Sequence, residues 1–379
     1  MKLLHLSDLH LGKKVNEFSL IEDQQYIIVQ ILKIIDTEMP DAVIVAGDIY
    51  DRSVPSVEAV KIFDDFLVSL MGRNVKVFVI SGNHDSAERV AFGSRIMDSK
   101  GIYLSPVYDG NVKPIILTDV FGDVAIYLLP FIKPSNVRAF FGEEDINSYT
   151  DAVRVAIENM NIDTNRRNVI VTHQFVTGAV TSESEEISVG GTDNVDANVF
   201  DCFDYVALGH IHGPQFITRD TVRYCGTPLK YSFSEEGHKK SVTIVELKNK
   251  GNVTVRTVDL TPLRDMRTVK GTYEEVTARE FCEKGNPEDY IRVILTDEED
   301  VFDALGKLRN FYKNLMKLEY CNTRTKSEQA AIDASDVENK GEADLFAEFY
   351  EQRTNKSLSN EQLTYLTKLI EEIKDEEDM

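Results

Sequence analysis

Short apolar runs alternate with helical patterns through the first half of the chain. Leu3 to Leu6, Ala42 to Ala46 and Val75 to Ile80 are short, rich in β-branched residues and bounded by Asp, Gly or Ser, which predicts buried strands. Between them the apolar positions fall at helical spacing. One pattern runs from about Ser19 to Glu38, with Ile27, Ile31, Ile34 and Ile35 on one side. Another runs from about Ser56, a serine suited to an N-cap, to Met71, with Val60, Phe63 and Leu67. This β-α-β-α-β order predicts a layered α/β domain. Later strands are predicted at Val124 to Leu129, Val169 to Thr172, Tyr205 to Leu208, Phe216 to Thr218, Val242 to Leu247 and Val253 to Val258. The last two bracket Lys248-Asn249-Lys250-Gly251-Asn252 and read as a hairpin. Strands that accumulate with no helical pattern between them predict a second sheet packed on the first.

Pro262 marks a boundary. Residues 263–321 read strand, helix, strand, helix, strand: a small α/β domain, with Thr277 and Glu280 at capping-box spacing in its first helix and a second helix over 299–311. Residues 322–343 are polar and unpatterned, which predicts a linker. Residues 344–379 then carry two helical patterns, one with Leu345, Phe346, Phe349 and Tyr350 on a face. The other has a stripe of Leu363, Leu366, Leu369, Ile370 and Ile373 behind a Ser359/Gln362 capping box. An amphipathic helix on a tether suits a partner's groove.

Composition bounds the class. The 379 residues are 42% hydrophobic and 28% charged, which fits a globular protein of two or three domains. Cys202, Cys225, Cys282 and Cys321 are scattered, giving no disulfide framework or zinc ribbon and fitting a reducing compartment. The start has no long apolar stretch and no run approaches the roughly 20 apolar residues of a membrane span. A soluble cytoplasmic protein without membrane contact is expected. The net charge of −22 argues against binding a polyanion over the whole surface.

The candidate chemistry sits at strand ends. Asp8-Leu9-His10 follows the first strand, Gly47-Asp48 the second and Gly82-Asn83-His84-Asp85 the third. His173 and Gly209-His210-Ile211-His212 follow two later strands. Sites in open α/β sheets form at the carboxyl ends of strands. Carboxylates, an amide oxygen and imidazoles make a mixed N/O donor set that suits Mn²⁺, Fe or Zn²⁺. Ligands one residue apart on extended chain, as in Asp8/His10 and His210/His212, would point to one side. Seven donors are too many for one tetrahedral ion and fit two ions sharing a carboxylate.

The ordered set Asp8-x-His10, Gly47-Asp48, Gly82-Asn83-His84-Asp85, His173 and Gly209-His210-x-His212 resembles the calcineurin-like metallophosphoesterase superfamily. More narrowly it resembles the SbcD nuclease subunits of bacterial SbcCD complexes. Supporting stretches are Ala46-Gly47-Asp48-Ile49-Tyr50-Asp51, Tyr224-Cys225-Gly226-Thr227-Pro228-Leu229 and Ser232-Phe233-Ser234-Glu235. The resemblance implies a two-sheet sandwich flanked by helices over residues 1–262, a small α/β DNA-capping domain over 263–321, and C-terminal helices over 344–379 that bind an SbcC-type ATPase. It implies two divalent ions, most readily Mn²⁺: Asp8, His10 and His212 on one, Asn83, His173 and His210 on the other, Asp48 bridging. His84 would contact the scissile phosphate or protonate the leaving oxygen. Asp51-Arg52 also resembles the Ser/Thr phosphoprotein phosphatases, which implies that Asp51 orients His84 and that Arg52 holds phosphate. The implied activity is Mn²⁺-dependent cleavage of DNA, as a 3′→5′ exonuclease and as an endonuclease at hairpins and blocked double-stranded ends. It would serve repair, recombination and replication within an ATP-dependent dimeric complex. The rivals are a stand-alone metallophosphoesterase acting on a small phosphodiester or a phosphoprotein, and a scaffold with a degenerate site, which the complete set of ligand types disfavours.

Other singled-out residues take plainer readings. His5 lies inside the first strand as a core histidine, His238 in a solvated turn, and Cys225 in packing. Ser182 to Gly191 reads as a solvated loop, with a substrate loop near His173 as the sharper alternative. The segment 263–321 holds 10 Lys/Arg against 13 Asp/Glu, so composition shows no DNA patch there; Arg264, Arg267 and Lys270 are its best basic candidates. Residues 333–379 hold 14 Asp/Glu against 5 Lys/Arg. Alone, the chain is expected to bind DNA weakly.

Overall fold

The computed structural model describes residues 1–142, 146–185, 193–283 and 285–323, and beyond them residues 343, 346, 347, 350, 357–359, 362–367 and 369. The chain first lays down β1 (Lys2–Leu6), β2 (Ala42–Ala46), β3 (Lys76–Ile80) and β4 (Ile102–Leu104), all parallel. Helices α1 (Ile21–Glu38) and α2 (Val57–Met71) make the first two crossovers. It then builds a second sheet from β5 (Ile115–Asp119), β6 (Gly122–Leu129), β7 (Arg167–His173), β8 (Tyr205–Gly209), β9 (Gln215–Ile217) and β10 (Arg219–Tyr224). Finally β11 (Ser241–Leu247) and β12 (Val253–Asp259) return as a hairpin to the first sheet. The strand orders are β12-β11-β1-β2-β3-β4 and β9-β10-β8-β7-β6-β5.

Strand alternation decides the layers. In β2, Ala42, Ile44 and Ala46 face the second sheet, joining Leu3, Phe78 and Ile80 against Val124, Ile126, Val169, Val171 and Ala207. The intervening Val43 and Val45 face the other way, with Leu4 and Leu6, onto Ile27, Ile31 and Ile35 of α1 and Phe63 and Phe66 of α2. The two sheets are thus each buried on both faces, which is why their strands read as near-continuous apolar runs. The Ser56 hydroxyl caps α2 by accepting the Ala59 N–H, a bond worth about 1 kcal/mol.

The second sheet has its own helical layer, which the apolar pattern did not announce. Helices α3 (Pro134–Phe141) and α4 (Tyr149–Glu158) lie between β6 and β7. The parallel β6/β7 pairing requires such a crossover. Pro134 opens α3, and a reciprocal Ser148/Asp151 box opens α4. Val137, Ala152, Val153, Ala156 and Ile157 cover the outer face of this sheet. β10 was likewise not expected; it lies mid-sheet, but Arg219, Asp220 and Arg223 interrupt its apolar run.

The region after Pro262 forms a third sheet, β13 (Met266–Gly271), β14 (Tyr290–Leu295) and β15 (Leu315–Tyr320), in that order. Its helical stretches are short. Thr272, not Thr277, caps the first by pairing with Glu275, and extended Ala278 ends it at Thr277. A further helical turn covers Arg279–Cys282, and the helix expected over 299–311 is confined to Ala304–Leu308. The sheet is tied to α1: Arg264 bonds Asp23 at 2.8 Å and Glu22 at 2.5 Å, and the Tyr290 hydroxyl donates to Asp23 at 2.7 Å. Two of the three basic candidates are therefore engaged within the chain, since Arg267 pairs with Asp289 at 3.0 Å. Lys270 is exposed.

A second compact unit comprises Glu186–Asp193 and Tyr320–Met379. Most of the expected linker over 322–343 and of the helices over 344–379 lies outside the described residues. Within the unit residues 362–367 are helical, and the Ser359/Gln362 box forms, with Ser359 N–H donating to Gln362 Oε1 at 2.9 Å. Among the described residues no helix is long and apolar enough to cross a membrane.

Candidate metal centre

The carboxyl ends of five strands from both sheets meet at one edge of the sandwich. Backbone bonds fasten the first two loops together, Asp8 N–H to the Gly47 carbonyl and His10 N–H to the Asp48 carbonyl, each at 3.0 Å. Four of the singled-out residues have positive φ: Asp8 (52°), His10 (42°), Asp48 (48°) and His210 (104°). Asp8 and His10 are therefore not brought to one side by an extended strand, as their spacing suggested. β1 has ended at Leu6, and a turn through left-handed conformations aims them instead. Such conformations cost on the order of 1–3 kcal/mol each for non-glycine residues and persist only where surrounding structure imposes them. Glycine permits the close approach at two points. A Cβ on Gly47 (φ +86°) would run into the His173 ring, and one on Gly209 would collide with the Ala46 carbonyl and lie 2.6 Å from His173 Nδ1.

The side chains converge tightly. His173 Nε2 lies 2.9 Å from Asn83 Oδ1, 3.3 Å from Asp48 Oδ2 and 4.0 Å from Asp8 Oδ1. His210 Nδ1 lies 3.0 Å from the same Asn83 oxygen. On the other side His10 Nε2 faces His212 Nε2 at 3.2 Å and Asp48 Oδ2 at 3.5 Å. The groups Asp8/His10/His212, His10/Asp48/His84 and Asp8/Asp48/His173 each place one ligand atom per residue within 4.8 Å of the others. Asp8, His10 and Asp48 each belong to two of these groups, and the single oxygen Asp48 Oδ2 touches both His10 and His173. Asp8, His10, Asp48, His173, His210 and His212 are all buried.

Burial sets the electrostatics. It pushes the Asp8 carboxyl up to about 6, reinforced by the neighbouring Asp48 charge, although His173 opposes this. Burial also opposes ionisation of Asp48, but His173 and His10 outweigh it and hold that carboxyl well below the usual range. His173 is raised to about 9 against its burial by the Asp48 and Asp8 carboxylates. His210 is driven down to about 3, chiefly by burial, and His10 well down for the same reason. The main chain assists: the His210 N–H donates to Asp8 and the His84 N–H to Asp48 Oδ1 at 3.0 Å.

His84 stands at the open side, half-buried, with Nε2 3.9 Å from Asp48 Oδ2 and its ring edge-on to His10. Asp51 meets His84 through its main-chain oxygen, which lies 3.3 Å from Nδ1. The Asp51 carboxylate instead pairs with Lys13 at 2.7 Å and lies 3.8 Å from His10 Nδ1. Arg52 is 81% exposed at the rim, 3.9 Å from Asp51. His5 is buried with Nδ1 2.9 Å from the Tyr205 hydroxyl, and Cys225 is buried against Ser7. His238 is half-buried, 4.0 Å from Glu235 Oε2, and so is not a solvated turn residue.

Two supports went unread in the sequence. Asp85, inside the quoted third motif, accepts the N–H groups of Ile49, Tyr50 and Gly82 at 3.0–3.1 Å and so ties the second loop to the third. Glu235, the last residue of Ser232-Phe233-Ser234-Glu235, is fully buried beside His212. Both stood in stretches already singled out, but neither spacing nor periodicity assigns a role to a lone acid.

Residues 1–214 match the calcineurin-like phosphoesterase family, and residues 262–354 match the type 5 capsule protein repressor C-terminal domain family. A protein of Staphylococcus epidermidis, named as the SbcD component of the nuclease SbcCD, is 31% identical over 381 residues, the full length of both chains. The chain belongs to the calcineurin-like phosphoesterases, among the SbcD nucleases. An SbcD protein of the same name from Staphylococcus saprophyticus is 32% identical over 98% of each chain. The enzyme is accordingly a metal-dependent phosphodiesterase and a nuclease subunit. The fold implies divalent metals, and the donor chemistry fits them. Two buried carboxylates, four imidazoles and an amide oxygen crowd one cavity, and Asn83 Oδ1 alone faces two imidazole nitrogens. His10 Nδ1 has no hydrogen-bond partner among the described residues. This is an N/O set with lone pairs in excess, suited to borderline and hard divalent cations.

Proposed function

We propose that this chain is the Mn²⁺-dependent nuclease subunit of an SbcCD-type complex in the cytoplasm. It acts as a homodimer with an SbcC-type ATPase and cleaves double-stranded DNA at ends and hairpins. Asp8, His10 and His212 would hold one ion and Asn83, His173 and His210 the other, with Asp48 serving both. The observation that carries this reading is Asp48 Oδ2, 3.3 Å from His173 Nε2 and 3.5 Å from His10 Nε2, a single carboxylate oxygen shared by the two groups of donors.

When bound, two divalent ions supply Lewis acidity and neutralise charge on the phosphodiester and on the attacking and leaving oxygens. The protein's part is orientation and proton handling. His84 Nδ1–H donates to the Asp51 carbonyl, which turns Nε2 toward the cavity. In the imidazolium form Nε2 also carries a proton, which hydrogen-bonds the scissile phosphate and passes to the leaving 3′- or 5′-oxygen, leaving the ring neutral with its proton on Nδ1. Arg52 at the rim is free to swing onto a substrate phosphate, and the Asp51 carboxylate holds Lys13 beside the same opening. Gly47 and Gly209 allow the loops close enough to exclude bulk water from His173.

Domain roles follow the same reading: residues 1–262 hydrolyse, 263–321 cap DNA, 322–343 link and 344–379 bind the ATPase. With Arg264 and Arg267 in internal ion pairs and a net charge of −22, the subunit alone grips DNA weakly, so its partner supplies much of the affinity. The test is cleavage of duplex and hairpin DNA by the purified protein with Mn²⁺, with and without an SbcC-type partner. Cleavage that the partner stimulates supports the reading. Hydrolysis of a small phosphodiester or phosphoprotein with no DNA cleavage in either condition supports the stand-alone alternative instead.

A further inference from the structure

Behind His212 lies a buried polar network that the ligand scheme does not use. Glu235 is fully buried and ion-paired with Lys240, itself 5% exposed. Lys240 also donates to Thr227 Oγ1 at 2.6 Å and to the His212 carbonyl at 2.9 Å, so all three of its protons are committed. Isolated, a buried charge pair gives little net stability, because desolvation offsets the Coulomb gain. The hydrogen bonds around the pair give it a role beyond stability.

Ser184 Oγ stands between His212 and this pair, 2.7 Å from His212 Nδ1 and 2.5 Å from Glu235 Oε1. Glu235 faces the Lys240 ammonium and accepts only. Ser184 Oγ also lies 2.8 Å from the Ser182 hydroxyl, which can donate to it, so the one hydroxyl proton of Ser184 goes to the nearer Glu235 oxygen and its two lone pairs accept from Ser182 and from His212 Nδ1–H. A neutral imidazole protonated at Nδ1 carries its lone pair on Nε2, the nitrogen that faces His10 Nε2 in the cavity. The direct Glu235 contact to Nδ1 is long, 3.5 Å, so serine is the shorter link.

We infer that Ser184 is a positioning residue for the metal centre: its hydroxyl relays Glu235 to His212 and fixes the tautomer and ring orientation in which Nε2 binds a divalent ion. This rests on the assignment of His212 as a ligand. The relay also couples a loop to the site. Residues 180–185 are seated by a Val180–Gln215 pair of bonds at 2.8 and 2.9 Å and by the Glu183 N–H on Ser234 Oγ at 3.1 Å. Glu185 Oε1 accepts the His212 N–H at 2.8 Å. Whatever seats this loop raises affinity at His212, and by reciprocity an ion at His212 stabilises the seated loop.

The experiment is calorimetric titration of the full-length protein with Mn²⁺, comparing wild type, Ser184→Ala and Ser184→Thr, with amide exchange of residues 178–185 followed with and without Mn²⁺. Outer-shell partners of metal-bound histidines typically contribute 10–100-fold in affinity. Two Mn²⁺ in the wild type are expected. Ser184→Ala should weaken one of them about 10-fold or more and leave the other unchanged, and Ser184→Thr should restore it. Mn²⁺ should slow exchange in residues 178–185 of the wild type and not of Ser184→Ala. Wild-type affinity at both sites in Ser184→Ala, or equal weakening of both, would overturn the relay while leaving the ligand assignment standing. Fewer than two ions on the wild type would overturn the ligand assignment, and the relay with it. Melting temperature is recorded for each variant, and a loss that tracks unfolding instead of a single site counts against the relay.

Discussion

Strands β1 and β7 carry buried charge at both ends, and the two ends treat it differently. At the amino ends the Met1 ammonium and the Arg167 guanidinium share the Asp119 carboxylate at 2.5 Å each. The Met1 ammonium also donates to the Leu247 carbonyl at 2.8 Å, and the Arg167 Nη1 and Nη2 groups to the carbonyls of Leu247 and Lys248 at 3.0–3.2 Å and to that of Gly122, while Arg167 Nε has no partner among the described residues. Cations are matched by acceptors, and Asp119 is held well below the usual carboxylate range by the Arg167 hydrogen bonds. At the carboxyl ends Asp8 and Asp48 face imidazoles and one amide, and among the described residues neither pairs with a lysine or arginine. Burial lifts Asp8 to about 6, on backbone conformations that only the surrounding loops sustain. A carboxylate matched by the chain's own cations is structural. Buried carboxylates set among imidazoles and an amide, with lone pairs in excess and strained backbone, are prepared for something that arrives from solution.

Substitutions at the two ends should therefore separate cleanly. The largest effect is expected for Asp48→Asn, which removes the shared oxygen: Mn²⁺ stoichiometry falls and DNA cleavage drops by about 10³-fold or more, while the fold survives as judged by circular dichroism. Retention of two ions in that variant would break the comparison at its active end. His84→Gln should keep both ions by calorimetry and slow turnover by about 10²–10⁴-fold. If it lost an ion, His84 would be a ligand and not the group at the scissile phosphate. Arg167→Ala, at the other end, should leave Mn²⁺ affinity unchanged and reduce unfolding free energy in urea by about 3 kcal/mol, since it strips Asp119 of its principal partner. A change in metal affinity there would show that the two ends are coupled through the strands. Adding Mn²⁺ at about 100 times its Kd should stabilise the wild type by about 2.7 kcal/mol per independent site, and Asp48→Asn by less. Arg264→Ala should have the smallest effect, about 1 kcal/mol or slightly more. Asp23 keeps the Tyr290 hydroxyl, and DNA affinity should not move because Arg264 is already engaged.

Much of this was legible in the amino-acid order, for identifiable reasons. β2 spans the predicted Ala42–Ala46, because a strand buried on both faces is an unbroken apolar run between Asp41 and Gly47. The site residues were legible as polar residues abruptly following such runs. What escaped was whatever depends on conformation or on distant partners. Spacing suggested a pleated strand for Asp8 and His10, whereas the positive φ angles make a turn. α3 and α4 are short, 8 and 10 residues, and more polar overall than α1 and α2, so each offers few apolar positions to read. Thr277 and Glu280 had capping-box spacing, but Thr272 took the role because the chain turns extended at Ala278. Asp51 was expected to orient His84, but the sequence did not say through which atom: its main-chain oxygen makes the contact, while Lys13, 38 residues away, takes the carboxylate. The supports at Glu235 and Lys240 reach His212 only through the fold.

The central claim is that the strand-end donors hold two divalent ions, and its most direct test is an anomalous difference map at the manganese edge from crystals grown with Mn²⁺. Two peaks on either side of Asp48 Oδ2 are predicted, one beside Asp8, His10 and His212 and the other beside Asn83, His173 and His210. A single peak, or none at these residues, would contradict the account.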